Sequence, residues 1–387
     1  MITKESIQGG YPIKGLGEVV EFLDNLRSPI TKSDRTAGPY PYYGANGQQD
    51  SVADYIFDEP LVLIAEDGGL FDQPDRGIAY AIEGKTWVNN HAHVLRPLDS
   101  IDLRYLVRVL ENYDVNPWIT GSTRAKLTKA GASKIQIPLP PLAEQKRIAG
   151  ILDAADALRA KRRESIDQLD RLIQATFLEK FGDPDHWEKK SVRSLSLDES
   201  GAFSNGPFGS NLLTSELTDS GVPVIYIRDI RDSEYKRVSK VFVTDKKAEE
   251  LSTCQTFPGD LLIAKVGDPP GVSAVYPVGE PVGIITQDVI RLRADTRVAD
   301  SSYLSAYFNS KYGQRLIQSI TVEATRARFG LGDFKKQEIP LPPLGDQKNI
   351  STILDSIESQ RAFQRDHLSV LDTLFASIQS QAFSGAL

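Results

Sequence analysis

Apolar residues recur at spacings of three and four along two stretches of the chain. In the first, Leu152 and Ala155 are followed by Ile166, Leu169, Ile173 and Thr176, with Phe181 just before Gly182-Asp183-Pro184. The second has Leu354 and Ile357, then Leu368, Leu371, Phe375 and Ile378, with Phe383 just before Ser384-Gly385. Polar residues interrupt both stripes at matching places, Arg159 and Arg162 in one and Arg361 and Gln364 in the other. One heptad register therefore predicts two long helices with the same narrow seam. A helix over 143–181 would span about 58 Å at a rise of 1.5 Å per residue. A segment that long, with a narrow stripe and charges elsewhere, needs a partner, and its own copy is the obvious one.

Each stripe begins directly after a proline-rich arm, Ile137-Pro138-Leu139-Pro140-Pro141-Leu142 in one case and Ile339-Pro340-Leu341-Pro342-Pro343-Leu344 in the other. The prolines fix φ and push the preceding residues toward an extended conformation, so the arm cannot itself be helical. Glu144 and its counterpart Asp346 fall in the first helical turn, where a carboxylate suits the positive end of the helix dipole. The two copies are 202 residues apart, and the offset holds without a gap from Thr123-Arg124-Ala125 and Thr325-Arg326-Ala327 onward to Leu172 and Leu374. From 137 to 153, 12 of 17 positions are identical to their partners. A gapless repeat with a period near half the chain means a duplicated module rather than a solenoid.

Ahead of each arm stands a globular unit of short strands and loops. In the first, Leu61-Val62-Leu63-Ile64-Ala65 reads as a buried strand, Trp87 to Leu95 as another strand, and 102–112 as an amphipathic helix, while Tyr40 to Gln48 is aromatic and turn-forming. In the second, strands are expected at 221–227, 260–264 and 288–292, then a helix from about Ser302 to Gln318. The arms and helices are copied closely while the globular heads have diverged. That contrast fits a scaffold meeting two copies of one partner while each head reads its own target.

Composition is that of an ordinary globular protein, 40% hydrophobic and 25% charged over 387 residues. A single cysteine, Cys254, excludes a disulfide framework and fits a reducing cytoplasm. No apolar run approaches the length of a membrane span, and the first residues do not read as a signal peptide. The net charge of −7 argues against autonomous, sequence-blind binding of nucleic acid. If the chain binds DNA, it does so through a local patch or with help from partner chains.

No catalytic centre can be assembled from the residues. Ala79 to Thr86 loosely fits a phosphate loop, but lacks the leading glycine and continues as a strand, so it reads as a hairpin turn. Asp268-Pro269-Pro270-Gly271 resembles the Asp-Pro-Pro-aromatic motif of amino-methyltransferases, with glycine where the aromatic should stand, and reads as a proline turn. His91 and His93 alternate along a strand and would share a face, yet with one thiol in the chain a zinc site is not expected. Groups suited to base edges are Asn46, Gln48, Gln49, Asn89, Asn90, His91 and His93 in the first head. In the second they are Asn205, Ser210, Asn211, Arg228, Arg231, Lys236, Arg237 and Lys240. Taken singly, each reads first as a solvated or turn residue. The basic stretch 228–240 is the best candidate for phosphate contact.

The doubled arm and helix, each after a head of about 150 residues, resembles the specificity subunit of Type I restriction–modification systems. Tyr42-Tyr43-Gly44-Ala45-Asn46-Gly47, Trp87 to His93 and Gly206-Pro207-Phe208-Gly209-Ser210 also resemble stretches of that family's target recognition domains. The resemblance implies an α+β fold with two similar α/β recognition domains, 1–142 and 183–341. Two long helices, 143–182 and 342–387, would join them as an antiparallel coiled coil about a pseudo-two-fold axis. It implies a chain without catalysis of its own that reads a bipartite, asymmetric site in double-stranded DNA. The expected partners are two modification subunits and, through them, restriction subunits. No cofactor is expected on this chain, with S-adenosylmethionine, ATP and Mg on the partners. At about 34 Å per turn of duplex, helices of about 58 Å would set the half-sites one to two turns apart. The competing readings are a self-contained methyltransferase or nuclease, and a scaffold that binds no DNA.

Overall fold

The computed structural model describes residues 10–73, 77–121, 124–207, 209–323 and 325–387. The chain forms two compact units, one of Met1–Glu164 with Arg365–Leu387 and one of Ser165–Gln364. The boundary between the units falls inside the two long helices rather than between the halves of the sequence.

The first unit is built on the strand Leu61–Ala65, whose five residues are fully buried. It is continuously apolar because both of its faces are covered: Val62 and Ile64 join one core with the helix α1 (Leu103–Leu110), while Leu61 and Leu63 join another with Phe57, Val88 and Val94. Its sheet has the order Val20–Phe22, Ala92–Pro97, Leu61–Ala65, Ala79–Ile82, all antiparallel. A second sheet has the order Gly47–Val52, Ala37–Gly44, Lys85–Val88, Phe57–Asp58, with its middle pair parallel. The stretch 87–95 is therefore two strands in different sheets, separated by a turn at Asn89–His91. The segment 79–86 likewise joins strands of different sheets, so its turn at Gly84 (φ 66°) is not a hairpin. Asp102 caps α1 by accepting from the Tyr105 N–H at 3.1 Å.

The arm leaves this unit as the strand Gln136–Pro138, paired antiparallel with Ile13–Gly15. Helix α2 (Leu142–Phe181) then starts where the prolines end. Gln145, which is buried, fixes that start. Its amide donates to the carbonyls of Ser100 (3.0 Å) and Pro140 (2.8 Å) and its oxygen accepts from the Asp102 N–H (2.8 Å), tying arm, helix and the cap of α1 together.

The second unit repeats the plan. Its central strand Leu261–Ala264 lies in a four-stranded sheet of order Phe203–Asn205, Val289–Leu292, Leu261–Ala264, Ser273–Val275, beside a five-stranded sheet that again contains one parallel pair. The strand expected at 221–227 covers Val222–Ile225. The helix expected over 302–318 is two, α3 (Ser301–Asn309) and α4 (Lys311–Ser319). The break is at buried Ser310, whose Oγ accepts from the N–H groups of Tyr312 and Gly313 and so starts a new helix. The second arm, Glu338–Pro340, pairs with Lys189–Ser191 and leads into α5 (Leu344–Ser384). Gln347 repeats the clamp, with Val298 (3.1 Å), Pro342 (2.8 Å) and the Asp300 N–H (3.0 Å). No helix among the described residues is long and apolar enough to cross a membrane.

In each unit, one helix's beginning is packed against the other helix's end. Phe375, Ala382 and Phe383 of α5 enter the core of the first unit beside Ile148 and Leu152, and Phe383 meets Tyr105 edge-on. Phe177 and Phe181 of α2 enter the core of the second beside Ile350 and Leu354, and Phe181 lies against Tyr303. The seam is antiparallel in both, since Arg159 pairs with Asp372 (2.6 Å) and its repeat counterpart Arg361 pairs with Asp170 (2.6 Å). The four residues are two copies of one ion pair, one in each unit. Arg159 also stacks its guanidinium over Phe375 at 4.3 Å. Arg361 is only 5% exposed and has two more carboxylates, Glu234 and Glu358. Burial works against its charge, but Asp170, Glu358 and Glu234 outweigh it and hold the pKa above the ordinary value.

Two outcomes follow for chemical denaturation with unit-resolved hydrogen exchange. Arg361→Ala removes a buried guanidinium and leaves three half-buried acids without it; it is expected to destabilise by about 1–3 kcal/mol, more than Arg159→Ala, which is less buried and has fewer acids around it. Phe383→Ala is expected to lose about 3–5 kcal/mol in the first unit and Phe181→Ala a similar amount in the second. Exchange protection that fell equally in both units for either phenylalanine variant would contradict the shared-core assignment.

Candidate nucleic-acid interface

Four loops of the first unit meet where the central strand ends. Beyond Ala65 the chain enters Glu66-Asp67-Gly68-Gly69, and the Glu66 N–H donates to the His91 carbonyl (2.8 Å) while the Glu66 carbonyl accepts from the Leu127 N–H (2.7 Å). Asp67 and Lys126 form an isolated antiparallel bridge. The Asn46 amide reaches across to the Gly68 carbonyl at 3.0 Å. Asp67 holds two groups, His91 Nδ1 at 2.6 Å and the Arg124 guanidinium at 2.7 Å. Glu66 holds Lys126 at 2.9 Å and Arg27 at 2.6 Å.

This junction brings Asn46, Asn89 and His91 together, but not all in a position to read a base. Asn89 is buried and closes its own turn, accepting from the His91 N–H at 2.8 Å and donating to Gln49 at 3.2 Å. It shapes the loop instead of presenting an edge. His91 precedes the strand rather than lying on it, and does not share an environment with His93. His93 is buried, with Nδ1 2.6 Å from Asp24 and Nε2 2.8 Å from the Leu127 carbonyl. No groove-side contact is open to it. Asn90 is exposed at the turn, and Gln48 is exposed on Gly47–Val52, donating to the Asp50 carbonyl and Ser51 Oγ at 3.2 Å each.

Asp24, Glu66 and His93 present ligand atoms within 4.8 Å of one another, a geometry that could circle a cation. The positive charge there is already supplied by Arg27 and Lys126. Burial pushes both carboxyls up, but His93 and Arg27 at Asp24, and Lys126 and Arg27 at Glu66, more than offset it and leave both below the ordinary range. A metal would have to displace these cations, so the donor set reads as an ion-pair network that fastens the loop junction to the sheet.

The same crossing recurs in the second unit with different chemistry. The Lys265 N–H donates to the Asp288 carbonyl (2.8 Å), its own carbonyl accepts from the Phe329 N–H (3.3 Å), and Val266 bridges Arg328. Lys265 thus stands where Glu66 stands in the first unit. Its ammonium donates to the Gln287 carbonyl at 2.9 Å, to which Asn205 also points at 3.4 Å. Burial lowers the Lys265 pKa; Asp288 opposes that shift and Arg328 adds to it. Beside it lies a cleft of about 480 Å³ lined by Ile227, Val266, Asp268, Glu323, Arg326 and neighbours. The Ser210 side chain lies outside the described residues.

The basic stretch 228–240 is not an open strip of cations. Buried Asp229 accepts from the N–H groups of Tyr226, Val238 and Ser239 and folds it into a compact loop. Arg228 donates to Ser239 at 2.6 Å and stacks over Tyr226. Lys236 pairs with Glu234 and Arg237 with Glu280. Arg361 accounts for the tip, donating to the Asp232 carbonyl and Glu234 at 3.0 Å each, so part of this stretch braces the head on the helix. Arg231 and Lys240 stay exposed and, among the described residues, form no ion pair. The residues at the junctions that base-edge chemistry alone passes over are Arg124, Lys126, Lys265, Arg326 and Arg328.

The family described as the Type I restriction modification DNA specificity domain matches residues 10–169 and again 208–371. A putative type I restriction enzyme specificity subunit of Haemophilus influenzae is 30% identical over 355 residues, 89% of this chain and 87% of that protein. The EcoKI specificity subunit of Escherichia coli K12 is 26% identical over 391 residues, 88% and 80% of the two. Among solved structures, the Type I restriction-modification system S subunit from M. genitalium superposes with a TM-score of 0.61 at 13% identity, over 97% of this chain and 96% of that one, which speaks to the fold. A repeated α+β head, a proline arm and an antiparallel helix seam, matched twice along the sequence, place this chain in the family of Type I restriction–modification specificity subunits.

Proposed function

We propose that each head reads one half of a bipartite, asymmetric site in duplex DNA and that the paired helices dock two modification subunits. The observation that carries this reading is the junction at the end of each central strand. Both heads cross the same backbone there, but one surrounds it with Glu66, Asp67, His91 and Asn46 and the other with Lys265, Val266, Asn205 and Gln287. A common frame with different hydrogen-bonding groups suits two different base sequences. Methyl transfer, with S-adenosylmethionine, and restriction, with ATP and Mg, belong on this reading to partner subunits in the cytoplasm. The net charge of −7 fits a reader whose partners supply much of the phosphate contact.

The test is an exchange of residues 1–135 for the corresponding head of a relative with another site, followed by methylome sequencing of cells expressing the complete system. One half of the methylated sequence is expected to change while the other half stays. A simultaneous change in both halves would refute the partition.

A further inference from the structure

Outside the arms and helices the two heads share few residues, yet Thr123-Arg124-Ala125-Lys126 and Thr325-Arg326-Ala327-Arg328 keep the 202-residue offset. Thr123 lies outside the described residues. The other members stand at equivalent places in the fold, since Lys126 bridges Asp67 and Arg328 bridges Val266. The following residues, Leu127 and Phe329, each donate to the residue after the central strand, Glu66 and Lys265. The side chains of Arg124 and Lys126 are 61% and 45% exposed, and Arg326 and Arg328 are exposed as well.

What surrounds these cations is not repeated. Arg124 rests on Asp67 and Lys126 on Glu66. The equivalents of those acids are Val266 and Lys265, and among the described residues Arg326 and Arg328 have no ion pair; Arg326 instead lines the cleft beside Lys265. A side chain repeated without its acidic partner is not repeated for the sake of that ion pair, and pairs this exposed add little to stability in any case. Two half-sites of different sequence still have the sugar–phosphate backbone in common. Arginine's fixed fork matches a phosphate's oxygens.

We propose that Arg124 and Arg326 are equivalent phosphate contacts, one per head, that set each head's register on the duplex without reading sequence. The proposal rests on the half-site reading above. In the first head Asp67 holds the Arg124 guanidinium until a phosphate takes its place, and His91 remains with the acid.

The experiment uses the full chain in complex with its modification subunits and two labelled duplexes, one of random sequence and one carrying the site found by methylome sequencing. Arg124→Gln and Arg326→Gln are each expected to weaken binding to both duplexes alike. Each should lower the slope of log K against log salt by about 0.9, one phosphate's worth. Arg124→Lys and Arg326→Lys should keep the slope, which separates lost charge from lost fold, and the methylated sequence should not change in any variant. An unchanged slope in the glutamine variants, or relaxation at one half-site, overturns the proposal. Failure of the unmutated complex to bind either duplex overturns the half-site reading itself, before any variant is compared.

Discussion

Gln145 and Gln347 each satisfy three backbone groups, two carbonyls, one of them buried, and the N–H of the aspartate that caps the preceding helix. The proline arm needs this. Prolines give the arm its stiffness but remove N–H donors, so its carbonyls must find partners from elsewhere. The glutamine supplies one, and in doing so aims the long helix from the head's core. Tyr105 and Tyr303 add hydroxyl donors to the carbonyls of Pro138 and Pro340. The direction of each helix, and with it the pairing of Arg159 with Asp372 and Arg361 with Asp170, depends on that joint.

The scaffold was legible in the sequence because its causes are local. Proline restricts its own neighbours, and the 3–4 spacing of Leu152, Leu354, Phe375 and Phe383 is the stripe that the structure buries. The central strands were legible for a similar reason, as continuous apolar runs bounded by turn residues. The breaks were less so. Ser310 splits an otherwise continuous helical pattern through a hydroxyl that bonds two N–H groups, and Asn89 splits a strand-like run by folding its amide back onto the turn. The site was the least legible part. Alternation cannot show that His93 is sealed between Asp24 and the Leu127 carbonyl, because both partners come from distant segments. Nor can the charge count of 228–240 show that Arg361 claims its tip. The repeated Thr-Arg-Ala shows in the sequence as an offset alone, and only the fold makes its two copies equivalent, each beside the residue that follows a central strand.

Divergence between the heads has thus fallen unevenly. The strand order of the sheet that holds the central strand, the capping aspartates Asp102 and Asp300 and the aromatic contacts at the helix ends are the same in both units. At the strand-end junction an acidic pair in one head becomes a lysine and a valine in the other. The frame tolerates this because the crossing is made by backbone hydrogen bonds, which do not depend on the side chains they carry.

The exchange of helix ends has a consequence for the order in which the chain acquires its structure during synthesis. The second unit is one continuous stretch, Ser165–Gln364, and every residue of its core has been made once that stretch leaves the ribosome. The first unit is begun earlier but finished later, because its core waits for Phe375, Ala382 and Phe383. Domains commonly fold from the N-terminus as they emerge. Here the head made first must hold an open apolar face until the last helix arrives, so the N-terminal half is the one in need of protection on the ribosome.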